Sequence, residues 1–454
     1  MYRDFNYSKY FNNPTKLADK VLEVYFKDEE PSFPIDPFKM LDDFGVHYVF
    51  QGFKDLEGIY IAPEDEDDIA IVSINKDRII TRQRFTASHE LCHHIKDRNR
   101  QIVCPIGKKD IHEKFADKFA SALLMPKRYL VDKIKEYEKD GYVSLDNVIY
   151  IAEYFGVSFQ ACLNTIAYEF NKIEPPITKK DLDRRVKKFK PLNRRKELGL
   201  QAYNIDLLRN TLNSYTYFFR EHSGLIWYRF KNNFIYNDNK LEGIDLSKDE
   251  ISEIVTDLRL HEQGSKYCNE DNQNIIEVTG HIAMYDYIFS TEEDISVYEI
   301  KNLHKLLYRY SPNPELGGEF RQVNNRISGA KIDTVDYQKI QQELLYINKD
   351  IDNLIRNREK DSISKYVDNC VWIHHRLTIL HPFSDGNGRM SRAMLNWLFK
   401  INNLPPVYIN SDYKDKYYEA LELADTGNYI ELNKLFYNAL INSMLELNKG
   451  NDIC

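Results

Sequence analysis

Residues 379–392 read ILHPFSDGNGRMSR. The preceding stretch DNCVWIHHRLTIL and the following RMSRAMLNWLFK are both helical by pattern. A loop must therefore join two helices around Gly386 and Gly388. Glycines there let a bound group approach the backbone closely. The loop feeds a helix N-terminus, where unpaired N–H groups and the helix dipole favour a phosphate. Arg389 and Arg392, one turn apart, add charge-assisted donors to the same face. Asp385 is a hard oxygen ligand suited to a divalent cation that bridges phosphates. Such a nest suits a di- or triphosphate better than a single carboxylate. His381, at the rim, is placed to take a proton from a hydroxyl that attacks phosphorus.

The stretch matches HxFx(D/E)GNGRxxR. With YEIKNLHKLL, GGEFRQVNNRISGAK and the helix before the motif, the region from about Ser223 to Phe436 resembles the Fic family. The resemblance implies a mainly α domain with a β-hairpin flap at about 319–331. It implies transfer of a nucleoside monophosphate, usually AMP from ATP with Mg2+, to a Ser, Thr or Tyr hydroxyl of a target protein or of the chain itself. On that resemblance His381 is the base and Asp385 the magnesium ligand. Asn387 contacts the α-phosphate, Arg389 the β-phosphate and Arg392 the γ-phosphate, with Gly386 and Gly388 in the nucleotide loop. Phe383 packs inward. Residues 326–329 would align the target segment by strand addition.

Asn237–Gly243, NDNKLEG, resembles the same family's inhibitory motif, (S/T)xxxE(G/N). Glu242 and Gly243 match. Asp238 stands where the family has Ser or Thr and can still cap a helix. A carboxylate on Arg392 would form a bidentate pair where the γ-phosphate should bind. ATP would then sit with its phosphates misplaced. Some family members also remove AMP by hydrolysis, with this glutamate positioning water. The plain alternative is a surface glutamate at a turn.

His89-Glu90-Leu91-Cys92-His93 is HExxH. On a helix, positions i and i+4 share a face, so His89 and His93 can hold one metal ion with Glu90 beside its water. Glu113 is the leading third ligand and His112 its rival. Asp117 is placed to accept the other N–H of a ligand histidine. RQRFTASHELCHH with the later E..AD.FASALLMP resembles the ImmA/IrrE metallopeptidase family over about residues 15–170. That resemblance implies a gluzincin-like Zn2+ site with ligands His89, His93 and Glu113 and with Glu90 as base. Some members cut helix-turn-helix repressors. Ser88 and Cys92 replace the family's usual Ala and Gly, leaving the ligands intact.

The expected architecture is thus an α+β metallopeptidase-like domain (1–174), a basic linker (175–200) and a Fic domain (201–454). Its inhibitory motif spans 238–243 and its nucleotide motif 381–392. Residues 15–45 read as one amphipathic helix, 58–75 as a strand pair, and 111–124 as a helix. The net charge of −8 speaks against nucleic acid as a partner, despite ten Lys/Arg between Lys179 and Lys196. Six scattered cysteines form no CxxC, and no apolar run is long enough for a bilayer, so a reduced cytoplasmic setting is expected. The pairing of halves suggests a repressor-like or antitoxin-like partner. Proteolysis as the main activity, or a purely partner-binding first half, are the competing readings.

Overall fold

In the computed structural model the chain forms two units, Met1–Ser214 and Tyr215–Leu447. All residues are described except 1–2, 4, 28, 65–67, 99–101, 106–110, 199, 201–204, 220–222, 262–263, 270, 293–294, 328–331 and 449–454.

The first unit opens with two helices, α1 (Pro14–Phe26) and α2 (Pro37–Asp43), not one. Pro31, Pro34 and Pro37 forbid a continuous helix by removing N–H donors and restricting the residues before them. Asn13 and Asp36 cap the two starts through their side chains. Strands β1 (Val46–Gln51), β2 (Leu56–Ile61) and β3 (Ala70–Asn75) follow, then α3 (Ile80–Lys96) and β4 (Ile102–Pro105). The sheet order is β1-β3-β2-β4. β1 runs parallel to β3, and β2 is antiparallel to both β3 and β4. The β2–β3 pair agrees with the sequence pattern; β1 and β4 were not expected.

Helix α3 is buried along most of its length and packs on the sheet and on α4 (Ile111–Leu124). Arg84 pins it from within, donating from Nε to the Gly156 carbonyl and from Nη2 to the Ile35 carbonyl. Then come α5 (Lys127–Tyr137), a two-stranded ribbon of β5 (Glu138–Lys139) and β6 (Tyr142–Val143), α6 (Leu145–Phe155) and α7 (Phe159–Phe170). Ser144 and Ser158 cap α6 and α7. The basic stretch is helical, as α8 (Lys179–Phe189) and α9 (Pro191–Glu197). Leu182 is buried in the first unit's core, and Arg194 pairs with Asp146 at 2.7 Å. Helix α10 (Ile205–Phe219) contains the unit boundary.

The second unit is helical among its described residues: α11 (Ser223–Leu241), α12 (Lys248–His261), α13 (Gln273–Ser290), α14 (Glu299–Leu307), α15 (Ile340–Asn357), α16 (Ile363–Leu380), α17 (Asn387–Ile401), α18 (Lys414–Asp425) and α19 (Ile430–Asn448). Helix α17 is buried on every side, the mark of a central core helix. Helices α13 and α14 meet closely at Gly280, where an added Cβ would stand 1.9 Å from the Leu307 carbonyl oxygen. The segment expected as a flap has no strand in its described residues 319–327, and its tip, 328–331, lies outside the described residues.

Candidate functional sites, a metal cluster and an anion nest

In the first unit, α3 and α4 bring His89, His93 and Glu113 together, with one ligand atom from each lying within 4.8 Å of the others. The two Nε2 atoms are 3.1 Å apart, and the Glu113 carboxylate oxygens lie 3.3 Å from His89 Nε2 and 3.5 Å from His93 Nε2. A tetrahedral zinc ion with bonds of about 2.0–2.1 Å places its ligand atoms about 3.3 Å apart. The residues present therefore fit the ion. The two Nδ1 atoms face carboxylates, Asp117 at 3.1 Å for His89 and Asp97 at 3.2 Å for His93. Such partners fix the ring so that Nε2 points at the ion. Asp97, one turn after His93, was not singled out from the sequence, although that spacing could have revealed it.

His112, the rival ligand, instead lies 3.6 Å from Asp97 and is well exposed. Burial opposes charge on His89, yet the hydrogen bonds to Asp117 and Glu113 outweigh it and raise its pKa to about 9. Burial pushes Glu113 up, but the two imidazoles bring it far below the usual carboxylate range. His94 points elsewhere, as helix geometry demands, and is buried. It lies 3.2 Å from the Tyr60 hydroxyl, and burial lowers its pKa to about 4. Glu90 is fully buried against β2. An added Cβ at Gly58 would stand 2.5 Å from Glu90 Oε1, so only glycine leaves this carboxylate its place.

In the second unit, α16 ends at His381 in the left-handed conformation, with φ 47°. A non-glycine residue there costs about 1–3 kcal/mol and needs outside support. Arg321 supplies it: Nε donates to the His381 carbonyl at 2.7 Å, and its backbone N–H donates to the Pro382 carbonyl at 2.9 Å. Burial lowers the His381 pKa below the ordinary imidazole value, leaving the ring neutral near pH 7.

The loop after His381 is built from both sides. Phe383 is buried and stacks on His304 with ring centroids 3.8 Å apart. His304 Nδ1 accepts from the Gly318 N–H, so Nε2 carries the proton and donates to the Asp385 carbonyl at 3.1 Å. The Tyr308 hydroxyl donates to Asp385 Oδ2 at 2.9 Å and orients a side chain that is otherwise exposed. A carboxylate held by one oxygen at a helix start fits a divalent cation as a hard ligand. Gly386 has φ 76°, which lets the loop turn into α17. The Asn387 amide is committed to the loop: it accepts from the Phe383 N–H and donates to the Phe383 carbonyl, each at 2.9 Å.

Arg389 is buried and donates from Nη1 to Glu277 Oε2 at 2.8 Å. Arg392 donates from Nη2 to Glu242 Oε1 at 2.5 Å and from Nε to Asp238. The expected bidentate Glu242–Arg392 pair is thus shared between two acids. Nor does Asp238 cap a helix: it lies inside α11 and is fully buried. Gly243, with φ 86°, ends that helix and aims Glu242 at the start of α17. A Cβ at Gly388 would stand only 2.8 Å from Glu242 Oε1.

The first unit thus carries a candidate metal-ligand cluster, and the second a glycine loop at a helix start with two buried arginines. Residues 42–167 match the family model for the IrrE N-terminal-like domain, Peptidase_M78, and residues 294–399 match that of the Fic/DOC family. The chain joins an IrrE N-terminal-like domain to a Fic domain. "Protein adenylyltransferase Fic" of Culex quinquefasciatus is 27% identical over 198 residues, 43% of this chain and 37% of that protein. Its namesake in Drosophila melanogaster is 33% identical over 135 residues, 30% of this chain and 26% of that protein. The match thus spans between about a quarter and little more than a third of these relatives' length. Among solved structures, Fic-1 from C. elegans aligns at TM-score 0.44 and 18% identity, covering 68% of this chain and 87% of that one.

Proposed function

We propose that the second unit is a protein adenylyltransferase that moves AMP from ATP to a Ser, Thr or Tyr hydroxyl. One observation carries the reading. A carboxylate already sits at the start of α17, on Arg392 and against Gly388, where a phosphate would be favoured. His381, neutral near pH 7, takes the proton of the attacking hydroxyl. Its oxygen bonds to the α-phosphorus, the bond to the bridging oxygen breaks, and pyrophosphate leaves. Arg389 and Arg392 bind the departing phosphates, and Asp385 would hold magnesium. Magnesium, when bound, neutralises charge developing on the phosphate oxygens. Glu242 restrains the reaction by holding Arg392.

The test follows label from α-labelled ATP into protein. His381→Ala should lose transfer while still binding ATP; transfer that persists would refute the role of His381.

A second reading concerns the first unit and rests on the His89–His93–Glu113 geometry. It is a zinc peptidase acting on a regulatory protein such as a helix-turn-helix repressor or an antitoxin-like partner. Zinc, when bound, lowers the pKa of its water towards about 7. Glu90 would accept that proton. Glu90→Gln should keep the metal and lose the cut. Absence of zinc from purified protein would instead favour a partner-binding module.

A further inference from the structure

Arg392 is buried, and its two acid partners differ in kind. Asp238 belongs to the interior of α11 and is 0% exposed, whereas Glu242 follows the helix end and its side chain is 25% exposed. Asp238 Oδ1 takes Arg392 Nε. Its Oδ2 lies 2.9 Å from Nε2 of the fully buried His281, near enough for electrostatic attraction though not aligned as a hydrogen bond. Glu242 takes only Nη2. Its position after Gly243-terminated α11 leaves it free to turn toward solvent; Asp238 has no such path.

We infer that Asp238 is a positioning residue for the nucleotide. It holds the inner edge of the Arg392 guanidinium permanently, so that the outer edge faces the nest whether Glu242 or a terminal phosphate occupies it. Glu242 is the exchangeable acid and Asp238 the fixed one. The role follows from charge as well as shape. A buried guanidinium that lost Glu242 with no second acid would be left uncompensated, and breaking a buried pair in that way is strongly destabilising. With Asp238 in place, Glu242 can leave and the arginine keeps both its partner and its direction. The sequence motif alone suggested a helix cap at this position, and no cap is formed.

The inference rests on the reading of the nest as a triphosphate site, and one experiment separates the two. Affinities for ATP and ADP are measured by calorimetry with magnesium, on full-length Glu242→Gly and on Glu242→Gly with Asp238→Asn. Glu242→Gly should prefer ATP over ADP by about tenfold or more, the size of one charge-assisted contact. Asp238→Asn should reduce that preference to about twofold or less while leaving ADP affinity within about twofold. Because ADP does not reach Arg392 in this scheme, its affinity reports that the fold is intact.

If Glu242→Gly shows no ATP preference, the triphosphate reading falls and this inference with it. If the preference survives Asp238→Asn, or grows, Asp238 is not an anchor. Should Asp238→Asn lose both nucleotides, Asp238→Ser is measured in its place, and loss of both in that variant too overturns the assignment.

Discussion

Glu242 Oε1 and Arg392 Nη2 lie 2.5 Å apart across 150 residues of sequence. This contact ties the end of α11 to the first turns of α17 and places a negative charge against Gly388 at the start of that helix. A hydrogen bond to a charged group contributes about 1.5–3 kcal/mol net. Having to displace Glu242 should therefore leave the apparent ATP affinity of the wild-type chain about 10–150-fold below that of Glu242→Gly, enough to silence an enzyme without abolishing its fold.

Gly388 separates nucleotide binding from stability. With Glu242 present an added Cβ would crowd its carboxylate at 2.8 Å, so the test is made in Glu242→Gly, where Gly388→Ala should leave the melting temperature nearly unchanged. Its Cβ would nevertheless stand 3.1 Å from Arg392 Nη1, inside the nest. In the Glu242→Gly background, where the acid no longer intrudes, ATP affinity should fall at least tenfold by calorimetry. Unchanged affinity would place the phosphates elsewhere.

The pH profile of transfer tests the base. His381 acts when neutral, and burial lowers its pKa from the ordinary 6.5. The rising limb of kcat/KM against pH should have its midpoint below 6.5. A midpoint above 7 would assign the proton transfer to another group.

Metal-free protein should lose stability as pH rises. His89 is raised from 6.5 to about 9 in the folded state, so its stabilising contribution is complete below pH 6.5 and is lost as pH climbs through 9. The size is on the order of 3 kcal/mol, from the shift at 1.36 kcal/mol per unit. Thermal melts of chelator-treated protein at pH 6 and pH 9.5 should show this fall. Added zinc should reduce it, because the ion then takes the place of the proton. In the same assay Asp117→Asn should weaken zinc binding by about 10–100-fold, measured by competition with a chelator.

Gly58 separates metal binding from chemistry in the first unit. Gly58→Val puts carbon where Glu90 Oε1 now lies, 2.5 Å from an added Cβ. The same Cβ would stand 2.6 Å from Thr86 Cγ2 on α3, but the Nε2 atoms of both histidines face Glu113 on α4, so zinc content should stay near one per chain. Any peptidase activity should be lost. Loss of zinc would mean that the strand supports the ligands as well.

The elements legible in the sequence were those with short-range signatures. HExxH at i and i+4 placed His89 and His93 on one helix face, and the helix at 111–124 carried Glu113 to them. The Gly386–Gly388 loop was readable from its glycines. Partners recruited from afar were not: Tyr308 reaches Asp385 across 77 positions, and Arg321 reaches His381 across 60. No periodicity encodes such a meeting. Asp238 shows a second limit. A short acid near a helix end reads as a cap, but α11 continues past it to Leu241, and burial beside Arg392 turns the same carboxylate into an ion-pair partner. Burial and that guanidinium set its pKa in opposite directions; the guanidinium prevails, and the pKa is lowered to about 2. The N-terminal pattern misled in a third way, since amphipathic spacing ran on through three prolines that split the helix.

On the proposed reading, Glu242 occupies the place of a phosphate whose arrival starts transfer to the hydroxyl that His381 deprotonates. Mass spectrometry of wild type and Glu242→Gly, each incubated with ATP and magnesium, tests it most directly. Covalent AMP is expected on hydroxyl side chains of the Glu242→Gly chain or an added target, at least tenfold above wild type, and none when His381→Ala is combined with it. Equal modification of wild type and Glu242→Gly, with equal ATP binding, would contradict it.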